Sequence, residues 1–295
     1  MTMPTDSIQK RPTLGTGSMI MPQIEATETA YLDLLKKCLT AEIYDESAWG
    51  VVGSRTPNKL KRWVYHWLRD HQLAWVRTSP FSKARRDQGE DWPLFGYTMI
   101  GRARLDNIQQ SVETILKEGI EGDLIETGVW RGGAVILMRA LLKHYNDVER
   151  KVWVADSFAG LPKPKARAGG EKIDWDMSHV DYLQVSLEAV KSNFARFGLL
   201  DSQVEFLEGW FCDTLPGAPC EKLALLRLDG DLYESTMDAL RALYHHVSPG
   251  GYVIVDDYLS WPSCREAVDE FRSCGEIREH LVNIDSGGVY WRKDS

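Results

Sequence analysis

The amino-acid sequence predicts an α/β protein with a doubly wound, mostly parallel sheet of seven strands and an N-terminal helical extension. Two observations lead to this prediction. From about residue 105 onward, helical periodicity alternates with short apolar runs, which is the pattern of repeated β-α-β units. Two of these runs, 223–228 and 251–255, are followed directly by aspartates. Polar residues in that position would meet at the carboxyl edge of a parallel sheet, where α/β proteins bind their ligands.

The N-terminal part of the chain lacks this alternation. The polar stretch 1–25 predicts a disordered tail. The segment 26–104 predicts a helical extension or lid, because apolar residues recur at three- and four-residue spacing in 28–45 and again in 58–75. Beyond the second helix, 77–95 is rich in Arg, Ser, Pro and Trp and predicts an irregular segment.

Residues 105–295 predict the α/β domain. Short apolar runs bounded by polar residues or glycine predict its strands, and longer amphipathic stretches predict its helices. The strands are expected at 123–126, 151–155, 204–207, 223–228, 251–255, 279–284 and 288–292. The helices are expected at 107–117, 133–145, 182–197, 233–246 and 263–273.

Charge and composition exclude one class of function. Lys and Arg number 35 and Asp and Glu number 43, so the formal net charge is −8. Binding of nucleic acid through bulk charge needs a concentrated basic surface, so no nucleic-acid partner is expected. No apolar run approaches the ~20 residues of a membrane span, so no membrane partner is expected either. Five cysteines without a Cys-x-x-Cys pair are typical of reduced thiols, and the expected location is the cytoplasm.

The turn after the first strand of the α/β domain predicts a nucleotide-like cofactor. Glu126, Thr127, Gly128 and Val129 begin a glycine-containing turn that leads into a helix. Glycines there let the backbone approach a ligand closely. The second strand ends near Asp156, where a carboxylate can accept hydrogen bonds from ribose hydroxyls.

The details of this turn distinguish between two cofactors. A dinucleotide fingerprint is Gly-x-Gly-x-x-Gly with an acid about 20 residues later. Here the leading position is the carboxylate Glu126, which suits a cationic ligand, and Asp156 follows thirty positions later. The pattern favours S-adenosylmethionine (SAM) over NAD, and an NAD-linked oxidoreductase is the alternative.

The aspartates that follow the two apolar runs predict a divalent cation. Asp229 and Asp231 follow one run, and Asp256 and Asp257 follow the other. Like charges in one crevice repel and raise one another's pKa, and a hard divalent cation relieves that repulsion. Asp231 lies at the start of a predicted helix, so we expect it to complement the helix dipole rather than to bind the cation.

Seven stretches between residues 28 and 292 match one known family in order. They are 31–40, 98–107, 125–133, 155–162, 209–216, 228–236 and 255–258. In this combination the chain resembles the macrocin O-methyltransferase family, whose members methylate sugar hydroxyls of macrolides and related antibiotics. The resemblance implies the Rossmann-like class I methyltransferase fold for 105–295, with SAM and Mg²⁺ as cofactors.

The resemblance also implies roles for individual residues. By position, Asp229, Asp256 and Asp257 are the expected Mg²⁺ ligands, and Asp229 is also the expected general base. The expected contacts to SAM come from Thr98, Met99, Glu126, Thr127, Gly128, Val129, Asp156, Ser157, Gly209, Trp210 and Phe211.

The acceptor implied by the resemblance is a small glycosylated natural product, and the loop 162–182 is expected to determine which one. A metal-dependent methyltransferase of catechol-like phenols is a nearer alternative, because a cation and two adjacent oxygens suit that substrate also. A protein that binds SAM without catalysis is a further alternative. A homo-oligomer is compatible with the sequence.

Overall fold

The computed structural model describes residues 20–44, 48–51, 58–73, 75–91, 93–164 and 176–294. The chain divides into two compact units, residues 1–35 and 36–295. In the first unit the structure describes helix α1 (Ile20–Leu39), whose last residues belong to the second unit. The predicted tail 1–25 lies outside the described residues as far as residue 19. Because α1 begins at Ile20, the helix starts earlier than predicted.

Short elements follow in the second unit. They are strand β1 (Ala48–Val51), helix α2 (Lys59–Asp70), strand β2 (Val76–Ser79) and helix α3 (Lys83–Asp87). Strands β1 and β2 pair antiparallel. Asn58 caps α2, because its side-chain oxygen accepts hydrogen bonds from the amides two and three residues later. The predicted irregular segment 77–95 is wrong where β2 and α3 form, since both are too short to give a periodic pattern.

Residues 36–104 belong to the same compact unit as the sheet. The amide of Gly133 donates to the carbonyl of Tyr97 at 2.9 Å, and Arg131 donates to the carbonyls of Leu94 and Gly96. These bonds join the segment before residue 104 to the first β-α turn of the sheet. The predicted domain boundary at 104/105 lies within this compact unit and remains a prediction.

The main sheet has seven strands, as predicted. They are β3 (Asp123–Thr127), β4 (Val152–Asp156), β5 (Val204–Glu208), β6 (Leu223–Leu228), β7 (Val247–Val255), β8 (Val282–Asn283) and β9 (Val289–Arg292). Their order is β5-β4-β3-β6-β7-β9-β8. The five strands from β5 to β7 are parallel, and β9 runs antiparallel to both of its neighbours. The strand order reverses between β3 and β6, so a ligand crevice is expected at their carboxyl ends.

The first helix of this part precedes β3, and the others lie between successive strands of the main sheet. In chain order the helices are α4 (Arg102–Glu118), α5 (Gly133–His144), α6 (Leu187–Arg196), α7 (Phe211–Thr214), α8 (Tyr233–Leu243) and α9 (Pro262–Cys274). The predicted helix 182–197 begins later than expected, because Ser186 caps α6 through the amide of Ala189. Residues 181–183 form a separate 3₁₀ turn.

The core lies on both faces of the central strands. All six residues of β6 are buried, and α5 is buried from Gly133 to Leu142. Such continuous burial is typical of parallel sheets covered on both faces. One member of β6 is the arginine Arg227, which is fully buried. Among the described residues, no helix is long and apolar enough to cross a membrane.

Candidate active site

The carboxyl ends of β3, β4, β5 and β6 open into one cleft with a volume of about 320 Å³. Residues directly after these four strands line it: Gly128, Ser157, Gly209 and Asp229. Met99, which lies before α4, also lines the cleft. The cleft therefore occupies the position at which the reversal of strand order predicts a ligand.

The turn after β3 passes unusually close to the strand beside it. Gly128 has a φ of 88°, and a Cβ added there would lie 1.8 Å from the carbonyl oxygen of Asp229. Gly132 also has a left-handed φ, of 86°, and immediately precedes α5. Only glycine fits at position 128 without a shift of the backbone, so the turn after β3 can pack directly against the residue that follows β6.

Asp156 ties the second strand to this turn. One of its carboxylate oxygens accepts a hydrogen bond from the amide of Val129 at 2.7 Å, and the other accepts from the amide of Phe158 at 2.7 Å. Burial raises the pKa of Asp156, and the hydrogen bonds from Val129 and Phe158 oppose that shift. The carboxylate is thus fixed in direction at the edge of the cleft, next to Ser157.

Arg227 lies beneath the cleft and joins its two halves. Its Nη1 donates to Glu126 on β3 and, at 2.8 Å, to Oδ2 of Asp229. Its Nη2 donates to Asp256 at the end of β7. A buried arginine requires such partners, because an unpaired charge in the interior costs several kcal/mol. The glycine turn and the acidic residues are therefore held by one guanidinium.

A second arginine approaches the same acids from α4. Arg104 donates through Nη1 to Asp256 and through Nε, at 2.8 Å, to Asp285. The other oxygen of Asp285 accepts hydrogen bonds from the amides of Gly287 and Gly288. A Cβ added to Gly287 would lie 2.2 Å from Nη2 of Arg104. The turn between β8 and β9 is therefore built around this arginine.

Three carboxylates form a cluster that could hold a metal ion. Asp229, Asp231 and Asp257 each offer an oxygen, and these oxygens lie within 4.8 Å of one another. Oδ2 of Asp257 is buried and accepts no hydrogen bond. Opposite ligands of a magnesium ion lie about 4 Å apart. The donor set and its spacing therefore fit a hard divalent cation.

Burial and mutual repulsion raise the pKa values of these acids. Burial raises the pKa of Glu126 to about 8 and that of Asp229 to about 6, with the charge of Asp256 adding to both shifts. Burial raises the pKa of Asp257 well above its usual value, and Asp231 and Asp229 add to the shift. A bound cation would reverse these shifts, because it favours the charged carboxylates.

Comparison with known proteins identifies the family. Residues 28–293 match the family model described as macrocin-O-methyltransferase (TylF). The chain belongs to this family of O-methyltransferases. It is therefore a SAM-dependent methyltransferase, and the predicted alternative of an NAD-linked oxidoreductase is wrong.

Individual relatives in the macrocin O-methyltransferase family cover nearly the whole chain. The 8-demethyl-8-(2,3-dimethoxy-alpha-L-rhamnosyl)-tetracenomycin-C 4'-O-methyltransferase of Streptomyces olivaceus is 47% identical over 271 residues, which are 91% of this chain and 94% of that protein. The mycinamicin III 3''-O-methyltransferase of Micromonospora griseorubida is 44% identical and covers 90% of this chain and 96% of its own. The structure of the O-methyltransferase NovP superposes with a TM-score of 0.77 at 44% identity, over 91% of this chain and all of NovP.

The predicted site residues of this methyltransferase divide into two groups. Eight of them line the cleft: Met99, Gly128, Asp156, Ser157, Gly209, Trp210, Phe211 and Asp229. The other six are buried and do not line it: Thr98, Glu126, Thr127, Val129, Asp256 and Asp257. The role of each residue toward SAM or a metal remains a prediction.

The structure changes the picture at two acids. Asp231 was expected to complement a helix dipole, but its carboxylate lies in the cluster with Asp229 and Asp257. Its φ of 55° is left-handed, which is uncommon for a residue other than glycine. Asp256 accepts hydrogen bonds from Arg227 and Arg104 instead of facing that cluster.

Sequence reasoning missed both arginines of the site. For Arg227 a signal was present, because a charged residue inside the apolar run 223–228 needs buried partners, and acids follow it directly. Arg104 carried no such signal, since it lies on an amphipathic helix where arginine is common. Its partner Asp285 is 181 residues away in the chain.

Proposed function

We propose that this protein transfers the methyl group of SAM to a sugar hydroxyl of a glycosylated natural product. One observation carries the proposal: a single cleft joins the glycine turn of β3 to the acid cluster after β6. The relatives named for tetracenomycin and mycinamicin methylation support a glycosylated acceptor. The predicted cytoplasmic location, the absence of a nucleic-acid partner and homo-oligomer formation remain predictions.

The donor half of the site would bind SAM along the turn after β3. Gly128 lines the cleft with backbone atoms alone, so a ligand can approach the backbone there, and Asp156 presents a fixed carboxylate to the ribose hydroxyls. Oε2 of Glu126 is buried without a hydrogen-bond partner, so it can accept one from a cationic part of the ligand or from a water molecule. Trp210 and Phe211 supply apolar surface on the same cleft.

The acceptor half would hold Mg²⁺ between Asp229 and Asp257. Asp231 is the third carboxylate of the cluster in the structure, whereas the resemblance assigns this role to Asp256. The two assignments differ in charge balance, because Asp256 is already neutralised by Arg227 and Arg104. We therefore propose Asp231 as the third ligand and keep Asp256 as the competing assignment.

The reaction requires removal of a proton from a weakly acidic sugar hydroxyl. Asp229 would accept this proton, because its carboxylate both lines the cleft and belongs to the acid cluster. Its hydrogen bond from Arg227 fixes the direction of the carboxylate. When bound, Mg²⁺ supplies Lewis-acid polarisation of the acceptor oxygens. The hydroxyl oxygen then forms a bond to the methyl carbon as the bond to sulfur breaks, which releases S-adenosylhomocysteine.

The variant Asp229→Asn tests the proposed base. SAM binding measured by calorimetry should stay within about threefold of the wild type. Turnover of a glycosylated acceptor should fall at least about 100-fold, the usual contribution of a positioned base. Asp213→Asn is the matched control, because Asp213 is exposed on α7 and does not line the cleft. Turnover near the wild-type rate in Asp229→Asn would refute the role of this residue.

The acceptor class is tested by a screen with isotope-labelled SAM. Sugar-bearing antibiotics and their sugar-free aglycones are compared with simple catechols at equal concentration. Label in the sugar would support the proposal, whereas label only in catechols would favour the phenol methyltransferase. Binding of SAM without release of S-adenosylhomocysteine from any acceptor would indicate a non-catalytic protein.

The metal is tested by removal and by direct binding. EDTA should abolish turnover and Mg²⁺ should restore it; turnover that persists in EDTA would reject the metal mechanism. Binding of Mn²⁺, followed by electron paramagnetic resonance, distinguishes the two third ligands. A larger loss of affinity in Asp231→Asn than in Asp256→Asn would support the cluster seen in the structure, and the reverse order would support the assignment from the resemblance.

A further inference from the structure

Arg131 connects the turn after β3 to a distant part of the chain. Its Nη1 donates hydrogen bonds to the carbonyl oxygens of Leu94 and Gly96, both at 2.8 Å. Its guanidinium also lies over the ring of Trp130, 4.2 Å from the ring centroid. A single side chain thus holds two backbone carbonyls and one aromatic ring of the site.

The segment 93–99, called here the strap, is bound to the turn in other ways also. The amide of Gly133 donates to the carbonyl of Tyr97 at 2.9 Å. A Cβ on Gly133 would lie 2.6 Å from that carbonyl oxygen and from Cβ of Thr98, so the strap fits only against glycine. The carbonyl of Arg131 itself accepts a hydrogen bond from Asn193 on α6. The strap therefore packs directly against the turn and is hydrogen-bonded to it.

The 3₁₀ turn 181–183 is the third segment in this arrangement. The indole nitrogen of Trp130 donates to the carbonyl of Tyr182 at 2.9 Å, and the Tyr182 hydroxyl donates to the carbonyl of Pro93 in the strap. The guanidinium of Arg131 lies 5.4 Å from the centroid of the Tyr182 ring. Arg131, on the turn, thus contacts both of the other segments.

Each of the three segments contributes a residue to the lining of the cleft. Met99 comes from the strap, Trp130 from the turn and Leu183 from the 3₁₀ turn. Trp130 has a left-handed φ of 47°, a conformation that a bulky residue holds only when its surroundings enforce it. The stacking of Arg131 and the hydrogen bond to Tyr182 provide that enforcement.

We infer that Arg131 is a positioning residue for the methyl donor, which assembles the strap, the turn and the 3₁₀ turn into a preformed cofactor wall. The inference rests on the proposed function, in which SAM occupies this half of the cleft. A preformed wall spares the ligand the cost of ordering three segments on binding. Lysine cannot replace this group, because the role requires a flat guanidinium that stacks and donates at the same time.

The effect should appear in binding of the donor rather than in the chemical step. The Arg131 guanidinium donates to two carbonyls of the strap, whereas Arg227 is the arginine that donates to Asp229. In Arg131→Lys, the Kd for SAM should rise about tenfold, as for loss of one hydrogen bond from a charged group. The KM for SAM should rise in parallel, whereas kcat at saturating SAM should stay within about twofold.

The experiment compares three variants with the wild type by calorimetry with SAM and by steady-state kinetics. Arg131→Lys removes the guanidinium that joins the three segments. Tyr182→Phe removes the hydroxyl that donates to the strap but keeps the ring. Arg150→Lys is the control, because Arg150 also donates to a backbone carbonyl, but that of Gly122, which lies outside the three segments. Arg131→Lys and Tyr182→Phe should both raise the Kd for SAM, and Arg150→Lys should leave it unchanged.

The outcomes separate this inference from the proposed function. Failure of the wild type to bind SAM would overturn the proposed function. Binding of SAM by the wild type and equally by Arg131→Lys would overturn only the positioning role. An equal rise of Kd in Arg150→Lys would also overturn it, since the effect would then reflect general loosening of the fold. A double variant, Arg131→Lys with Tyr182→Phe, should show less than the product of the two single effects, because both act on one strap.

Discussion

Replacing Arg227 with methionine should destabilise the protein strongly, even though methionine fills the space of the aliphatic part of the arginine side chain. The arginine is fully buried on β6 and donates hydrogen bonds to Glu126, Asp229 and Asp256. Its removal would leave three carboxyl groups close together, of which Asp256 would keep a hydrogen bond from Arg104. The protein would have to protonate these acids or admit water to the core.

The magnitude follows from the burial of the charge pairs. Removing one partner of a buried ion pair costs about 3–5 kcal/mol, because the other charge stays desolvated and unpaired. For a chain of this size, 1 kcal/mol corresponds to a shift of about 2 °C in the melting temperature. We therefore expect Arg227→Met to lower the melting temperature by about 6–10 °C in the absence of ligands.

The assay is thermal unfolding followed by circular dichroism, with urea unfolding as an independent measure of the free energy. Arg292→Gln is the matched control, because Arg292, on β9 of the same sheet, forms an exposed ion pair with Glu118 of α4. Exposed pairs contribute about 0–1 kcal/mol, so this control should change little. The double variant Arg227→Met with Glu126→Gln should recover part of the loss, because it removes one of the carboxyl groups that would be left without its arginine partner.

A loss of less than about 1 kcal/mol in Arg227→Met would refute this reasoning. Such a result would mean that the three acids are already neutral or hydrated in the wild type. Equal losses in Arg227→Met and in the Arg292 control would refute it as well. In either case the guanidinium would not be what holds the turn of β3 and the acids of β6 and β7 together.

Three further predictions concern the same region. Gly128→Ala should lower the free energy of unfolding by more than about 4 kcal/mol, because the new Cβ would clash with a backbone carbonyl. Gly119 also has a left-handed φ, but no atom lies within 4 Å of its Cβ position, so Gly119→Ala should cost only about 1 kcal/mol. Equal losses in the two variants would contradict the clash at Gly128. Gly287→Ala should displace Arg104 without changing any charge and lower kcat about 10-fold or more, while the Kd for SAM measured by calorimetry stays unchanged; an unaltered kcat would exclude a role for this turn. Burial raises the pKa of Glu126 from 4.5 to about 8, so its contribution to stability is present at low pH and is lost as the pH rises through about 8. The free energy of unfolding without ligands should therefore fall between about pH 5 and 8.5, and Glu126→Gln should reduce that fall; an unchanged pH dependence in the variant would show that other groups cause it.

Local patterns in the sequence were sufficient for the fold and for the position of the cleft. The alternation of apolar runs and amphipathic stretches depends on neighbouring residues only, and it gave all seven strands of the main sheet. The acids after β6 and the glycine turn after β3 lie at strand ends, so the rule that parallel strands share one ligand edge brings them together. Short elements such as β1, β2 and α3 were not predicted, because four or five residues are too few to show a hydrophobic period.

Only the tertiary structure decides which of the four aspartates pair with arginine and which can bind a cation. Asp229, Asp231, Asp256 and Asp257 look alike in the sequence, since each follows an apolar run that ends at the same sheet edge. Three-dimensional packing surrounds Asp256 with arginines and leaves the others facing one another. This difference arises from contacts between residues far apart in the chain, which depend on side-chain direction and on the cost of burying charge. The sequence by itself determined the family, the fold and the edge of the sheet that binds ligand, and the packing of two buried arginines decided which carboxylates remain available to a cation.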